Sequence, residues 1–396
     1  MTIWYVRPVN GSDANDGTSY ATAWATTQQA INSITADTGD EYVHLVSEGV
    51  EETTTGVKIL TDVVYRSNAL KLVAVGPSGQ TGDLLDYTYT IRATGGSVTE
   101  VLGTSGAYDG NDWGDDYRWY GVIFDANNVA NYGYYNTKNA GSNAHFYGCR
   151  FTNALITGAL NGGYNSTVYT ACEFDNNVNW GWVGSGSNRG NSVHRNNSYH
   201  DNGNGAAGGN SVSLDSCRIY DNTGYGFLGT SRYCTSTHLE HCLIYNNGDD
   251  GIQFENTSGT HNSSNRIRDN LIYGNGGWGF QSNHDSWLNA VIYNNFFYNN
   301  TAGAIDVDVP FEAWFKNDTA IDIDFDITTG KLNYHSPAVD LSHPFGGAPG
   351  GAAREDVTFT DVGEFSLGTG GVGDTVNVSG KSFQLVQDNP RAWRRV

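Results

Sequence analysis

The sequence predicts an all-β fold: a single-stranded, right-handed parallel β-helix with three short strands per coil, an N-terminal capping helix and a small C-terminal β tail. Three observations lead to this prediction. The chain of 396 residues holds 51 Gly, 24 Tyr and 10 Trp but one Met, a composition typical of β-rich proteins with many tight turns. A segment of about 25 residues recurs along its middle. Within each copy, apolar residues recur at three fixed positions.

The repeat can be aligned on one residue, which is taken as position zero of each copy. The residues at position zero are Gly121, Cys149, Cys172, Asn197, Cys217, Cys242, Asn270 and Asn295. Repeats of this length are typical of solenoids, in which each copy forms one coil and stacks on the next. The expected result is one extended domain with right-handed crossovers.

Three apolar positions in each copy predict its three strands. They lie three residues before position zero, two after it and ten after it. Their residues are Phe146, Leu214, Leu239, Ile267 and Ile292; Phe151, Phe174, Ile219, Ile244, Ile272 and Phe297; and Trp182, Phe227, Ile252, Phe280 and Ile305. Short apolar runs separated by turn residues indicate strands that pair with the next coil at about 4.8 Å.

Two polar positions predict ladders that hold neighbouring coils together. Five residues after position zero stand Asn177, Asn202, Asn222, Asn247, Asn275 and Asn300. An asparagine amide tolerates left-handed backbone and can bond to the asparagine of the next coil. Position zero itself, where Cys and Asn alternate, predicts a second ladder. Glycines nine residues after position zero are expected to give the backbone freedom beside the third strand.

Net charge excludes some partners. The formal charge is −21, which repels nucleic acids and anionic membranes and keeps a large β protein soluble. The five cysteines lack the spacing of a metal site or a disulfide framework and are interpreted as small buried residues. Residues 1 to 17 lack a basic and apolar leader, and no apolar run is long enough to cross a bilayer. We therefore expect no membrane insertion and, if the chain begins at Met1, no Sec-dependent export.

The N-terminal segment points to a family. The sequence "NGSDANDGT" from Asn10 to Thr18 resembles the N-terminal turn of the pectate-lyase-like right-handed β-helix superfamily. In that superfamily a strand, this turn and a short helix cap the open end of the solenoid, and Ala21 to Ile34 would supply the helix. The sequences "SPAVD" from Ser336 and "DVGEF" from Asp361 resemble closing segments of the same superfamily. The predicted organisation is a cap over 1–50, the β-helix over 51–345, and a closing or trimerisation tail over 346–396.

The resemblance implies several functions, since the superfamily includes polysaccharide lyases, glycoside hydrolases, epimerases and phage tailspikes. The lyases generally use Lys or Arg as a base, often with Ca²⁺. The regular coils hold one lysine, Lys138, outside the aligned positions. Arg150 and Arg218 share an exposed position but lie in coils that are not neighbours. This weighs against a lyase.

Glycoside hydrolysis needs two carboxylates about 5 to 9.5 Å apart. Asp201 and Asp221 both lie four residues after position zero in adjacent coils, so their Cα atoms are expected about 5 Å apart. Asparagine replaces them in other coils, which favours a turn role. Asp249 also occupies a turn position, whereas Asp250 is expected to point outward and is the third catalytic candidate. Asp249, Asp250, His261 and the "RIR" of Arg266 to Arg268 only partly match the polygalacturonase branch, because its Gly-His-Gly element and lysine are absent.

Aromatic residues predict a ligand surface. Tyr220, Tyr245, Tyr273 and Tyr298 follow position zero by three residues, and Trp180, Tyr225 and Trp278 follow it by eight. Both sets are expected to point outward, where they would bind sugar rings or stack on themselves. Arg218 lies beside the tyrosines and is included in this predicted binding surface. Asp250 interrupts the second set and would bond to a sugar between two aromatic rings.

The leading hypothesis is a virion-surface protein of a tailed phage, tailspike-like or a capsid decoration protein. It would be homotrimeric, contact other virion proteins and bind glycans of the host or the environment. The rival hypothesis is a secreted polysaccharide-degrading enzyme, a glycoside hydrolase rather than a lyase, and the third is a purely architectural virion component. No cofactor is predicted, although Asp318, Asp322, Asp324 and Asp326 offer oxygen ligands for Ca²⁺.

Overall fold

The computed structural model forms two compact units, Met1–Val212 and Ser213–Val396. Up to residue 307 it describes the backbone over 2–34, 41–60, 69–79, 86–95, 98–105, 116–136, 143–162, 167–184, 192–208, 211–229, 236–255, 265–282 and 291–307. Beyond residue 307 it describes seven short strands over 314–317, 325–326, 331–333, 365–366, 375–378, 381–388 and 391–395.

Strands of the first unit fall into three columns, in which each strand pairs in parallel with the strand at the same place in the next coil. The first column is β1 (Thr2–Val6), β2 (Glu41–Val46), β5 (Leu70–Val75), β8 (Asp116–Tyr120), β11 (Asn143–Tyr147), β14 (Thr167–Thr170) and β17 (Ser192–Arg195). The second is β3 (Val50–Thr53), β6 (Tyr89–Ala93), β9 (Val122–Asp125), β12 (Arg150–Thr152), β15 (Glu173–Asp175) and β18 (Ser198–His200). The third is β4 (Val57–Leu60), β7 (Glu100–Ser105), β10 (Tyr132–Asn136), β13 (Thr157–Asn161), β16 (Trp180–Gly184) and β19 (Asn204–Gly208).

The second unit repeats this arrangement. Its first column is β20 (Val212–Asp215), β23 (Thr237–Glu240), β26 (Arg266–Arg268) and the start of β29 (Val291–Tyr298), which also pairs with β31 (Trp314–Asn317). The second column is β21 (Arg218–Tyr220), β24 (Leu243–Tyr245), β27 (Leu271–Tyr273) and the end of β29. The third is β22 (Phe227–Gly229), β25 (Ile252–Phe254), β28 (Trp278–Ser282) and β30 (Gly303–Val307). The three strands per coil are therefore confirmed.

Two small sheets follow in the sequence. One contains β32 (Phe325–Asp326), β33 (Lys331–Asn333) and β34 (Phe365–Ser366). The other contains β35 (Thr375–Val378), β36 (Lys381–Asp388) and β37 (Arg391–Arg395), paired in antiparallel fashion. This second sheet is the predicted C-terminal β tail. The segment "SPAVD" and most of "DVGEF" lie outside the described residues.

The predicted apolar positions form the core. Their side chains are fully buried wherever the structure describes them, except Ile305, which is partly buried. Aromatic rings stack inside the coils at the strand spacing: Phe151 lies 5.0 Å from Phe174, and Phe174 lies 4.7 Å from Tyr199. The first copy is shifted by one residue from the prediction. Ile123 pairs with Arg150, so Val122 occupies position zero instead of Gly121.

One helix, α1 (Thr27–Ser33), is shorter than the predicted Ala21 to Ile34. The carboxylate of Asp13 accepts the backbone N–H groups of Ala25 and Thr26, each at 2.9 Å, which holds this segment in a turn. The helix begins only after Thr26, whose side chain accepts the N–H of Gln29. Among the described residues, no helix has the length and apolar character needed to cross a membrane.

Helix α1 caps the first strand of the third column, as predicted. The side chain of Gln28 accepts the N–H of Lys58 at 2.6 Å and donates to its carbonyl at 3.2 Å, so it satisfies backbone groups at the sheet edge. Glu51 is buried beneath the helix start and accepts bonds from the N–H of Thr27 at 2.9 Å and the hydroxyl of Tyr89 at 2.6 Å. Burial raises the pKa of Glu51 even though these bonds oppose the shift.

Asparagine ladders join neighbouring coils within each unit. In the second unit, Asn222, Asn247, Asn275 and Asn300 each bond to the next. The Oδ1 atom of Asn275 accepts both the backbone N–H of Asn247 at 3.1 Å and its side-chain amide at 2.9 Å. The same amide donates to the carbonyl of Ile219 at 3.1 Å. The first unit repeats this pattern at Asn177 and Asn202.

Position zero forms the second ladder, and its chemistry explains why Cys and Asn alternate there. Asn270 accepts the N–H of Cys242 at 2.8 Å and donates its amide to the carbonyl of Leu239 at 2.9 Å. The Cys242 thiol donates to the equivalent carbonyl of Leu214 at 3.5 Å. Cys and Asn at position zero therefore each supply a donor for the equivalent carbonyl of the preceding coil. The four cysteines within the described residues are buried free thiols, as predicted.

Turns between the strands use left-handed backbone at two positions. Positive φ angles occur one residue before position zero, as at Ala171 and Ser216, and four after it, as at Asn176 and Asn246. The glycines nine residues after position zero are required for a different reason from the predicted backbone freedom. A Cβ atom at Gly226 would lie 2.5 Å from the carbonyl oxygen of Gly251 and 2.9 Å from the Asn247 amide. These glycines are required by the close approach of the next coil.

Replacing one ladder residue should destabilise the protein strongly. Asn247→Ala removes four hydrogen bonds to neighbouring coils and leaves the buried carbonyl of Ile219 without its donor. We expect a loss of about 2–4 kcal/mol in the free energy of unfolding, measured in urea. The matched control is Asn246→Gly, since Asn246 has a φ of 53° that glycine adopts freely. Equal stability of the two variants would contradict the structural role of the ladder.

Candidate functional site

The tyrosine file, meaning the tyrosines at one position of successive coils, differs from its prediction. Tyr220 and Tyr245 are parallel within 3°, with ring centroids 5.0 Å apart. Tyr245 is only 1% exposed, whereas Tyr220 and Tyr273 are partly buried. Tyr298 continues the register of Tyr273, but its side chain lies outside the described residues. Because the stacked rings cover each other's faces, Tyr245 does not offer the open face that was expected.

Arg218, predicted beside the tyrosines, lies on β21 and is partly buried. It is in register with Leu243 of the next strand.

Asp201 and Asp221 occupy tight turns. Their φ angles are +54° and +53°, and both residues are exposed. Asp201 belongs to the first unit, where its carboxylate lies 2.7 Å from His200 Nδ1, and Asp221 belongs to the second. Aspartate tolerates left-handed backbone better than most residues, so the turn accounts for their presence.

A charged network takes the place of the tyrosine file in the first unit. Arg150 Nε lies 2.8 Å from Asp175 Oδ1 and 3.4 Å from Glu173 Oε2, and Glu173 also lies 2.9 Å from His200 Nε2. Burial lowers the pKa of His200, but its bonds to Glu173 and Asp201 outweigh this effect and raise it. Asp175 is 1% exposed. Glu173 was not predicted, although opposite charges at neighbouring positions of adjacent coils are a signal that sequence reasoning can use.

A second file, on the third column of the second unit, brings other predicted residues together. Tyr225, Asp250, Trp278 and Gly303 follow one another in consecutive coils, as set by the pairing of Phe227 with Ile252 and of Ile252 with Phe280. Asp249 precedes Asp250 in the sequence. Asp306 lies on β30, which pairs with β28. Together, these residues form the Asp250 site, which consists of Tyr225, Asp249, Asp250, Trp278 and Asp306.

Asp250 is buried, with 4% exposure, although it was predicted to point outward into solvent. Its Oδ1 atom accepts the backbone N–H of Trp278 at 2.5 Å, and its own N–H donates to Asp249 Oδ1 at 3.1 Å. Gly277 makes this position accessible, because a Cβ atom there would lie 2.1 Å from Asp250 Oδ1. The side chain therefore folds along the coil stack over a glycine, which the repeat pattern alone does not reveal.

The electrostatics of the site raise the pKa of its buried carboxyl group. Burial, together with the charges of Asp249 and Asp306, raises the pKa of Asp250 to about 6, although the Trp278 N–H opposes this shift. Burial and the charges of Asp249 and Asp250 also raise the pKa of Tyr225, whose side chain bonds to Asp249. Near neutral pH the Asp250 carboxyl group can thus exchange between hydrogen-bond donor and acceptor.

Trp278 supplies a flat aromatic surface beside this carboxyl group. A Cβ atom at Gly303 would lie 2.4 Å from Cζ3 and 3.0 Å from Cε3 of the indole, so the ring lies over the glycine of the next coil. Tyr225 and Trp278 are both partly buried. Gln253 donates to Gln281 at 2.7 Å, and Gln281 donates to Asp306 at 3.1 Å, along the adjacent file. The surface thus combines two aromatic rings with carboxyl and amide groups.

The two arginines that suggested a polygalacturonase do not join this site. Arg266 and Arg268 lie on β26 of the first column, where Arg268 pairs with Glu240 at 2.6 Å. His261 lies outside the described residues, as do the calcium candidates Asp318, Asp322 and Asp324. Among the residues that the structure describes, no group of three or more His, Cys, Asp or Glu side chains is arranged to hold a metal ion.

Comparison with known proteins identifies the fold. A family profile described as "Right handed beta helix region" matches residues 136–297. No curated protein matches the sequence. Among solved structures, ORF18 of Geobacillus virus E2 is 15% identical with a TM-score of 0.49. That match covers 75% of this chain and 58% of the viral protein, so this chain spans little more than half of its length.

Two enzymes have comparable similarity. The pectate lyase Pel9A is 15% identical, with a TM-score of 0.47, and the match covers 98% of this chain and 94% of the enzyme. The A-module of the Azotobacter vinelandii mannuronan C-5 epimerase AlgE4 is 14% identical, with a TM-score of 0.45, 80% coverage of this chain and 100% of the module. The family profile and the three columns of parallel strands agree with the predicted right-handed parallel β-helix.

The raised pKa of Asp250 predicts a pH-dependent stability. A folded-state pKa near 6, above the unfolded value near 4, stabilises the fold fully below pH 4 and loses this contribution as the pH rises through 6. Asp250→Asn keeps the acceptor for the Trp278 N–H but does not ionise. We expect its unfolding free energy, relative to wild type, to rise by about 2 kcal/mol between pH 4 and pH 7.

Urea unfolding across this pH range measures the difference. Asp221→Asn is the control, because Asp221 is an exposed turn residue. A constant difference between Asp250→Asn and wild type at every pH would show that Asp250 is not perturbed.

Proposed function

We propose that this β-helix protein binds glycans and that the Asp250 site is its binding surface. The single observation that carries the proposal is the Trp278 indole, which lies against Gly303 of the next coil and neighbours a buried carboxyl group of raised pKa. A sugar ring has an apolar face and a polar rim. An aromatic plane next to hydrogen-bonding groups matches both features.

The charges of the site favour a neutral sugar. Burial raises the pKa of the Asp250 carboxyl group, and the charges of Asp249 and Asp306 raise it further. A uronate or sulfate at this position would add another negative charge and raise the electrostatic energy further. Hydroxyl groups, in contrast, can donate to Asp249 and to the Gln253–Gln281 chain. Neutral polysaccharides are therefore the proposed ligands.

We extend the proposal to a virion-surface role, in which the protein is a homotrimer that contacts other virion proteins and binds host or environmental glycans. The separate antiparallel sheet formed by β35, β36 and β37 supports a dedicated assembly segment. In this sheet Val376 is in register with Phe383, and Leu385 is in register with Trp393. A small sheet of this kind gains stability by packing against another element or another chain.

The alternative function is glycan hydrolysis, and the pKa of Asp250 favours it specifically. A general acid works best when its pKa lies near the operating pH, and Asp250 has a pKa of about 6. Asp250 would protonate the leaving oxygen, while Asp249 or Asp306 would supply the second carboxylate that glycosidases require. Asp201 and Asp221 would not take part, since each occupies a tight turn outside the Asp250 site.

Substitution of Trp278 tests the binding proposal. On a panel of neutral and acidic polysaccharides, we expect Trp278→Ala to weaken retention of a neutral glycan more than tenfold, because it removes the stacking surface. Tyr273→Phe is the matched control, since it keeps its ring in the tyrosine file. Equal retention by Trp278→Ala and wild type, at unchanged melting temperature, would refute the assignment.

The same panel tests hydrolysis. If the wild-type protein releases reducing ends and Asp250→Asn does not, hydrolysis is established. If the protein binds a glycan without releasing reducing ends, hydrolysis is excluded for the panel.

Molar mass tests the virion-surface proposal. Light scattering after gel filtration should give three times the chain mass of 42.8 kDa. Deletion of residues 371–396 should yield a monomer that still binds glycan, because the Asp250 site lies in other strands. A monomeric full-length protein would contradict the trimer.

A further inference from the structure

We infer that the first unit carries a second glycan-binding surface, formed by Tyr132, Thr157 and Trp180, and that both surfaces take extended β-(1→4)-linked neutral glycans. This inference rests on the proposed function and adds to it a second site and a class of ligand.

The first argument is the register of the strands. Tyr132 pairs with Thr157, and Thr157 pairs with Trp180, so the three residues form one file on consecutive coils of the third column. In the second unit, Tyr225, Asp250 and Trp278 likewise form one file on consecutive coils of the third column. Each unit thus presents a tyrosine, a short polar residue and a tryptophan in the same order.

The second argument is the burial of these residues. Thr157 is 1% exposed and Asp250 is 4% exposed, whereas the aromatic residues on either side are partly exposed. The polar residue is therefore more deeply buried than the aromatic residues on either side of it. One sugar ring can lie above the polar residue while the sugar rings before and after it stack on the aromatic side chains.

The third argument is spacing. Parallel strands lie about 4.8 Å apart, so aromatic residues two coils apart are separated by about 9.6 Å. In an extended β-(1→4)-linked chain, successive rings are turned over, and the same face recurs once per disaccharide. A tyrosine and a tryptophan on alternate coils therefore match rings one and three of such a chain. Helical α-(1→4)-linked glycans curve away from a straight file.

The tyrosine file shows why alternation matters. Aromatic residues on adjacent coils stack on each other, as Tyr220 and Tyr245 do at 5.0 Å. A short side chain between two aromatic residues prevents this contact and keeps a ring face for a ligand. The alternation at Thr157 and Asp250 is therefore the feature that distinguishes a binding file from a structural one.

Neighbouring residues hold the first surface in place. Tyr135, on the same strand, stacks on Tyr132 with ring centroids 4.4 Å apart and covers one face of its ring. Glu100 precedes Tyr132 in the file, is buried, and forms an ion pair with Lys58. Glu100 lies over Gly103, where a Cβ atom would approach its Oε1 atom to 2.6 Å. Polar groups thus continue beyond the aromatic pair, as they do beside the Asp250 site.

Calorimetric titration of the full chain with cello- and chito-oligosaccharides of two to six rings tests the inference. We expect two sites per chain and about tenfold tighter binding of three rings than of two, because the third ring reaches the second aromatic residue. The double variant Tyr132→Ala, Trp180→Ala should lose one site, and Trp278→Ala should lose the other. Malto-oligosaccharides of equal length should bind at least tenfold more weakly.

The outcomes separate this inference from the proposed function. One site that Trp278→Ala removes and Tyr132→Ala, Trp180→Ala leaves intact would overturn the second surface but keep the Asp250 site. Equal binding of malto-oligosaccharides, or no step between two and three rings, would overturn the ligand class. Binding that only Tyr132→Ala, Trp180→Ala removes would overturn the proposed Asp250 site instead. If the double variant unfolds, Tyr132→Leu alone, with its melting temperature as a check, repeats the test.

Discussion

The hydrogen bond from one asparagine side chain to the asparagine of the next coil is the interaction on which the rest of the structure depends. At Asn275, a single Oδ1 atom binds both the backbone N–H and the side-chain amide of Asn247. A slip of one residue between coils would break both bonds and expose the apolar core positions, because side chains alternate between the two faces of a strand. The ladder therefore fixes which residues meet along every outward file.

Whether the side chains of a file contact one another depends on whether similar residues recur on adjacent coils or on alternate coils. Tyrosines on adjacent coils stack with each other, and Arg150, Glu173, Asp175 and His200 on neighbouring coils pair their charges. In both cases the side chains satisfy one another and stabilise the coil stack. Aromatic residues on alternate coils, as at Tyr225 and Trp278, flank a short polar residue, and these are the files that we propose as binding surfaces.

The sequence predicts the coils well because apolar, asparagine and turn positions recur with one period, and each has a single structural cause. The same repeat places Asp250 in an aromatic file. It does not reveal that the Asp250 side chain is directed toward the next coil, where it lies over Gly277. Tyr245 differs from its prediction for a similar reason, since a position on an outward face does not reveal burial against the stacked ring of Tyr220. Asp201 and Asp221 share a position, yet their left-handed backbone explains them as turn residues. Such differences arise from contacts between coils, which a residue's position in its own coil does not encode.

A crystal structure of the protein with a β-(1→4)-linked neutral hexasaccharide tests the central claim most directly, namely that the coil register sets the spacing of bound sugar rings. We expect one sugar ring stacked on Trp278, another on Tyr225, and a single ring between them within hydrogen-bonding reach of Asp250. A sugar chain bound along the tyrosine file, or one whose rings on Tyr225 and Trp278 are direct neighbours, would contradict it.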